Sequence, residues 1–331
     1  MRLEFSRLGR ARALEGSAAG LVVLGLLLWW LLPWGESSPH GTVVISTGAH
    51  NGVYEQYGEL LKGELHDDMP DLNVRLTNSA GSQQNVERVA TGQADFTIAA
   101  ADAVEAYQLR NGPGAAHLRG CARLYDDYVQ LVVPRRSSVR SITDLRGRTV
   151  AIGQVGSGVR LIAERVLRAA KLDPAKDIRA RSTGIDTVPE ALKDKKIDAF
   201  FWSGGLPTVS VAKLSAKVDI RFIPLGNLVD ALHRQGGASA YYRSSVMPSD
   251  AYRNAEKDGP VDTLAVANLL VTTDRMDDEL TERVTRSVID SRDRIGNRVH
   301  AAQKVDLRTA LYTDPLTLDA GASRYYRSVK P

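Results

Sequence analysis

The sequence predicts a two-lobed α/β protein with a ligand cleft between its lobes, preceded by an apolar N-terminal segment. Two alternating series of strand and helix signals, separated by a polar break from Pro134 to Arg140, predict the lobes. A glycine-rich passage, VAIGQVGSG from Val150 to Gly158, predicts where the cleft lies. A chain of 331 residues, 43% of them hydrophobic, is long enough to bury more than one core.

The first element is the apolar run from Ala18 to Leu32. Arg2, Arg7, Arg10 and Arg12 precede it, and Trp29, Trp30 and Trp34 cluster at its far end. Basic residues hold the amino end in the cytoplasm, whereas tryptophans favour the membrane interface. No small-x-small cleavage signal follows, so an uncleaved anchor is expected in preference to a removed signal peptide, with Glu36 to His40 as linker. Everything beyond that linker is then expected on the extracytoplasmic face of the plasma membrane.

The first series begins with the β-branched run Thr42 to Ser46, a strand, followed by a helix from Tyr54 to His66. Leu72 to Thr77 alternates as a second strand, Ser82 to Thr91 is helical, and Ala94 to Ala99 forms a third strand. This βαβαβ order implies a parallel sheet with ligands at the carboxyl ends of its strands. Val129 to Val133 closes the first lobe. The second series has strands at Val150 to Ile152 and Ile197 to Trp202, with helices at Gly158 to Lys171 and Thr187 to Lys193. Arg221 to Leu225 then heads back, Pro260 to Thr272 is strand-like, Asp277 to Ile295 reads as one long helix, and Ala320 to Tyr326 closes the chain. The expected division is 1–40 for anchor and linker, 41–133 for the first lobe, 134–223 for the second and 224–331 for the return. Extended segments near Val132 to Arg135 and Ile220 to Leu225 are the expected hinges.

At Val150 to Gly158 a strand ends, the chain turns on glycines, and a helix opens at Ser157. Unpaired backbone N–H groups and the positive end of a helix dipole converge there, which suits an anion. Phosphate signatures are missing: there is no GxxxxGK[ST], and the glycines fall as GxxGxG. A helix cap alone would use the same residues.

Several function classes lack their residues. The net charge of +4 is spread over interleaved acids and bases, leaving no nucleic-acid footprint. Cys121 is the single cysteine, which excludes an internal disulfide and a multi-cysteine metal site. The six histidines form no HxxxH spacing, and no GxSxG elbow occurs. The paired carboxylates Asp67 with Asp68, Asp126 with Asp127, and Asp277 with Asp278 are adjacent in sequence and diverge in helix or strand, so they read as solvated surface.

Four blocks carry a resemblance: TGAHNGVYEQYG from Thr47, NSAGSQQNVERVATGQADFTIAAAD from Asn78, DLRGRTVAIGQVGSG from Asp144, and ALKDKKIDAFFWSGGLPT from Ala191. In that order and spacing the chain resembles the TAXI family of extracytoplasmic solute-binding subunits of TRAP transporters, from about Thr42 to about Leu225. The resemblance implies a periplasmic-binding-protein fold of the two-crossover type, without catalysis, cofactor or metal. It implies a monomeric receptor for a small organic anion or amino acid, of the glutamate or dicarboxylate kind, with TRAP-type membrane subunits as partners. By motif position the expected ligand-binding residues are Gly48, Asn51 and Tyr54; Ser82 and Asn85; Asp102; Gly156, Ser157 and Gly158; and Gly204, Gly205 and Pro207.

The chain departs from the family pattern at Glu55 and Gln56, where a tyrosine and a proline are common, and at Val159, where a threonine hydroxyl would add a donor. Residue by residue, plainer roles stand beside these. Ser82 and Asp102 can cap helices, and Tyr54 can be core. Arg160 is a clamp for an acid or a solvated cation, and His50 a ligand donor or a loop histidine. A membrane-anchored sensor or interaction module is the alternative function, with an enzyme on the same fold a further one.

Overall fold

The computed structural model describes residues 39–252 and 259–329. The anchor expected at Ala18 to Leu32 lies outside the described residues, and among these no helix is long and apolar enough to cross a membrane.

The βαβαβ series forms as its apolar spacing dictates. Strand β1 (Gly41–Ser46), helix α1 (Val53–Asp68), strand β2 (Leu72–Thr77), helix α2 (Ser82–Ala90) and strand β3 (Phe96–Ala100) follow in order, and β3 runs into α3 (Ala101–Leu109). β1 pairs in parallel with both β2 and β3. Val43, Ile45, Phe96 and Ile98 from the strands bury against Tyr57, Leu61 and Leu65 of α1, each worth about 1.5–3 kcal/mol.

Strand β4 (Leu118–Pro134) is far longer than the apolar run Val129 to Val133 suggested. It leads through β5 (Thr149–Ala151), α4 (Gly158–Ala169), β6 (Arg179–Arg181), α5 (Val188–Lys193), β7 (Ala199–Gly204), α6 (Val209–Ser215) and β8 (Ile220–Ile223). Helix α7 (Val229–Gln235), β9 (Arg243–Met247) and β10 (Val261–Thr273) come next, then α8 (Asp278–Asp290), α9 (Arg292–Gly296), α10 (Leu307–Ala310) and α11 (Ala320–Ser328). The helix expected to run unbroken from Asp277 to Ile295 is therefore two: Ser291, at φ −88° and ψ −1°, ends the first and opens the second.

The strands form one sheet in the order β2-β1-β3-β10-β4-β7-β5-β6, with β8 on β4 and β9 on β10. β4 and β10 serve both lobes. β4 pairs with β10 as far as Val129 and with β7 and β8 beyond Tyr128. β10 pairs with β9 at its start and β3 at its end, so it carries the chain back to the first lobe. The segment before it stays with the second lobe: Leu225, Leu228, Leu232 and Tyr242 share a core with Ile162, Val166 and Leu167 of α4.

Candidate functional site

The carboxyl ends of β1, β2, β5 and β7 face one cleft, as expected for ligand sites on parallel strands. The cleft holds about 710 Å³, its open mouth included. From the first lobe it is lined by the Gly48 to Tyr54 turn and by Ala80 to Ser82; from the second by Gly153 to Ile162, Thr183 to Val188, and Phe201 to Gly204.

Two helix N-termini from different lobes meet there. The Gln84 N–H of α2 donates to the Gly156 carbonyl at 3.0 Å, and Gln83 Nε2 donates to the Ser157 carbonyl at 2.7 Å. Glycines make this approach possible. Gly81 sits at φ +130°, and a Cβ on it would lie 3.4 Å from Ser157 Cα. A Cβ on Gly158 would come within 3.0 Å of Ser82 Oγ. No side chain caps α2, and the first N–H groups of both helices have no intrahelical acceptor. The Ser157 hydroxyl is committed to its own turn: it donates to the Gln154 carbonyl at 2.7 Å and accepts from the Arg160 N–H at 3.1 Å. Its proton is spent, so the donors available to an anion are backbone N–H groups.

Of the expected residues, Gly48, Tyr54, Ser82, Ser157, Gly158 and Gly204 line the cleft. Asn51 stands at its rim at φ 61°, exposed, with its N–H donating to Glu55 Oε2 at 2.7 Å. Asn85 is buried beneath the loop it ties down: its Oδ1 accepts from Ser46 and Ser79 hydroxyls at 2.8 and 2.6 Å, and its Nδ2 donates to the Ile98 carbonyl. Gly156, at φ +84°, supplies its carbonyl to Gln84. Gly205 packs where a Cβ would meet Ala301 at 2.5 Å, and Pro207 is exposed beyond it.

Asp102 is fully buried behind the cleft. Its Oδ2 accepts from Tyr242 Oη at 2.7 Å and Arg165 Nη1 at 3.1 Å, joining α3 of the first lobe to α4 of the second. Burial raises its pKa and the Arg165 guanidinium pulls it back down. Arg160 pairs with Glu164 at 3.0 Å, and His50 with Glu55 at 2.9 Å. Glu55 binds the glycine turn together: besides His50 and Asn51 it accepts from Asn78 Nδ2 at 2.7 Å. Partial burial pushes its carboxyl up, but these bonds hold it below the usual range.

One carboxylate counted as surface is not. Asp127 is 4% exposed and lines the cleft, whereas Asp126, on the opposite side of the pleat, pairs with Arg123 and Arg243. The adjacent acids do diverge, and divergence in a crossing strand sends one of them inward. Extending the β4 alternation back from Val129 through Asp127 to Tyr125 would have revealed it. Asp127 Oδ1 accepts from Asn268 Nδ2 at 2.7 Å, and Asn268 Oδ1 accepts from Tyr54 Oη at 2.5 Å. Tyr54 thereby gives up its proton, so Ser82, 3.1 Å away, donates to it; Ser82 Oγ in turn accepts from the Ala100 N–H at 3.1 Å. Burial pushes Asp127 up to about 7, with Asn268 and Tyr54 opposing and Asp126 and Asp102 adding to the rise. Asn268, Thr183, Gly184 and Trp202 also went unread as site residues in the sequence, being brought in by β10, by a loop of the second lobe and by the end of β7. Among the described residues no cluster of three or more His, Cys, Asp or Glu side chains could hold a metal.

The model of the NMT1-like family matches residues 45–329, and the chain belongs to that family. Its fold is similar to a putative L-cystine ABC transporter protein from Listeria monocytogenes, at 13% identity and a TM-score of 0.51 over 80% of this chain and 98% of that one. An ancestral arginine-binding protein bound to arginine is similar at 13% identity and a TM-score of 0.50, covering 78% and 98%. The periplasmic aliphatic sulphonate binding protein SsuA from Escherichia coli matches at 16% identity and a TM-score of 0.47, covering 89% and 84%. The first two likenesses make the fold that of the two-lobed periplasmic binding proteins.

Proposed function

We propose that this member of the NMT1-like family is an extracytoplasmic solute-binding receptor, not an enzyme, that captures a small organic anion or amino acid between its lobes. The observation that carries this is the meeting of two helix N-termini, one from each lobe, over a single cleft. Each brings unpaired N–H donors and the positive end of a dipole to the same place, so an anion bridging them favours closure of the lobes. The TAXI-like order of motifs supports delivery to TRAP-type membrane subunits. The N-terminal apolar run supports tethering to the outer face of the plasma membrane.

Thermal denaturation of the full chain against amino acids and organic acids tests the function, because a ligand of the native state raises stability by RT ln(1 + [L]/Kd). A rise with one or a few carboxylates is expected, together with a smaller radius of gyration in solution scattering. A rise with sugars alone would refute it.

A further inference from the structure

We propose that the cleft selects a zwitterion, an α-amino acid whose protonated amine docks on Asp127 while its carboxylate caps the two helix N-termini. The inference rests on the receptor function above and narrows its ligand class.

Asp127 is the only charged side chain among the described residues lining the cleft. Every donor around it points one way. The Ala100 N–H donates to Ser82, Ser82 to Tyr54, Tyr54 to Asn268 Oδ1, and Asn268 Nδ2 to Asp127 Oδ1. The relay ends on a carboxylate that meets the Asn268 amide and the Tyr54 hydroxyl but, among the described residues, no cationic partner. A buried acid in that position is neutralised by a proton or by a cation that enters the cleft. No basic side chain lines the cleft among the described residues, and burial accordingly raises Asp127 to about 7.

Ser82 sets the distance between the two poles. Its hydroxyl lies 3.1 Å from Tyr54 Oη, one amide from Asp127, and it also lies against Gly158 at the start of α4. A ligand carrying its acid and its amine on one carbon places both groups beside this hydroxyl, the acid toward Gly158 and the amine toward Asp127. A dicarboxylate without an amine would set a second negative charge near Asp127, where no basic side chain offsets it. Between the poles the wall is apolar, from Val159, Ile162, Ile185, Val188 and Phe201, so the side chain of the amino acid faces hydrocarbon. Ser203 Oγ, 8% exposed and lining the same wall, has no hydrogen-bond partner among the described residues and adds one polar contact for the ligand.

The test pairs each of the proteinogenic L-amino acids with the same molecule lacking its α-amine, titrated into the full chain by calorimetry at pH 8. At least one amino acid is expected to bind, with its des-amino partner at least tenfold weaker. Asp127→Asn is expected to lose at least tenfold for that amino acid and to change the des-amino acid far less. A des-amino acid that binds as tightly as its amino acid overturns the inference and leaves the receptor function standing. Unchanged amino-acid affinity in Asp127→Asn likewise overturns it. Binding by no amino acid and no des-amino acid overturns both. The comparison of partners on the unaltered chain needs no variant, so a poorly folding Asp127→Asn would not shelter the proposal.

Discussion

Replacing Asp127 by asparagine should stabilise the unliganded protein at alkaline pH, although it removes a group from the cleft. Asparagine keeps the shape and can still accept from Asn268, but it carries no charge to bury. Asp127 is raised from 3.8 to about 7 in the folded state. Between those values the folded chain holds a proton that the unfolded chain has released. Stability of the wild type therefore falls as pH rises from about 4 to about 7 and stays level above, the reverse of a salt-bridged aspartate. Three units at about 1.4 kcal/mol each put the penalty near 4 kcal/mol at pH 8. Guanidinium chloride melts of both proteins at pH 4, 6 and 8 measure it. The difference between them isolates this one carboxyl from the other titrating groups. The variant should match the wild type within about 1 kcal/mol at pH 4 and exceed it by a few kcal/mol at pH 8. A variant less stable than the wild type at pH 8, or a difference that does not change with pH, would refute the assignment of Asp127 as a desolvated, uncompensated acid.

Because an amine needs the ionised carboxylate, amino-acid affinity should be about tenfold weaker at pH 6 than at pH 8, as calorimetry in matched buffers will show. Gly158→Val should weaken ligand binding more than tenfold by holding α2 and α4 apart, with a near-normal melting temperature. Its first added carbon would already stand 3.0 Å from Ser82 Oγ. Ser157→Ala should cost about 1 kcal/mol of stability through loss of the cap and little affinity, since its proton is turned inward. Arg165→Met would leave Asp102 buried without its cation and should cost about 3–5 kcal/mol in denaturant melts, whereas a loss below 1 kcal/mol would mean that the pair is dispensable.

The sequence by itself determined the local elements and the glycine turns. A β-branched run made β1, alternation made β2, amphipathic spacing made α1 and α4, and the glycine passage before Ser157 opened a helix with unpaired donors, because these depend on neighbours a few residues away. The two-lobed class followed from the alternation of these elements. What only tertiary structure decided was which side chains share the cleft. Asp102, expected at the ligand, found Arg165 and Tyr242, 63 and 140 residues away, and was withdrawn into the interior. Asp127, dismissed as surface, was turned inward because β4 runs on through both lobes, and Asn268 reached it from β10 across 141 residues. A charge is placed by the partners and the water that surround it after folding, and in this chain those partners come from strands that meet only when the sheet is complete.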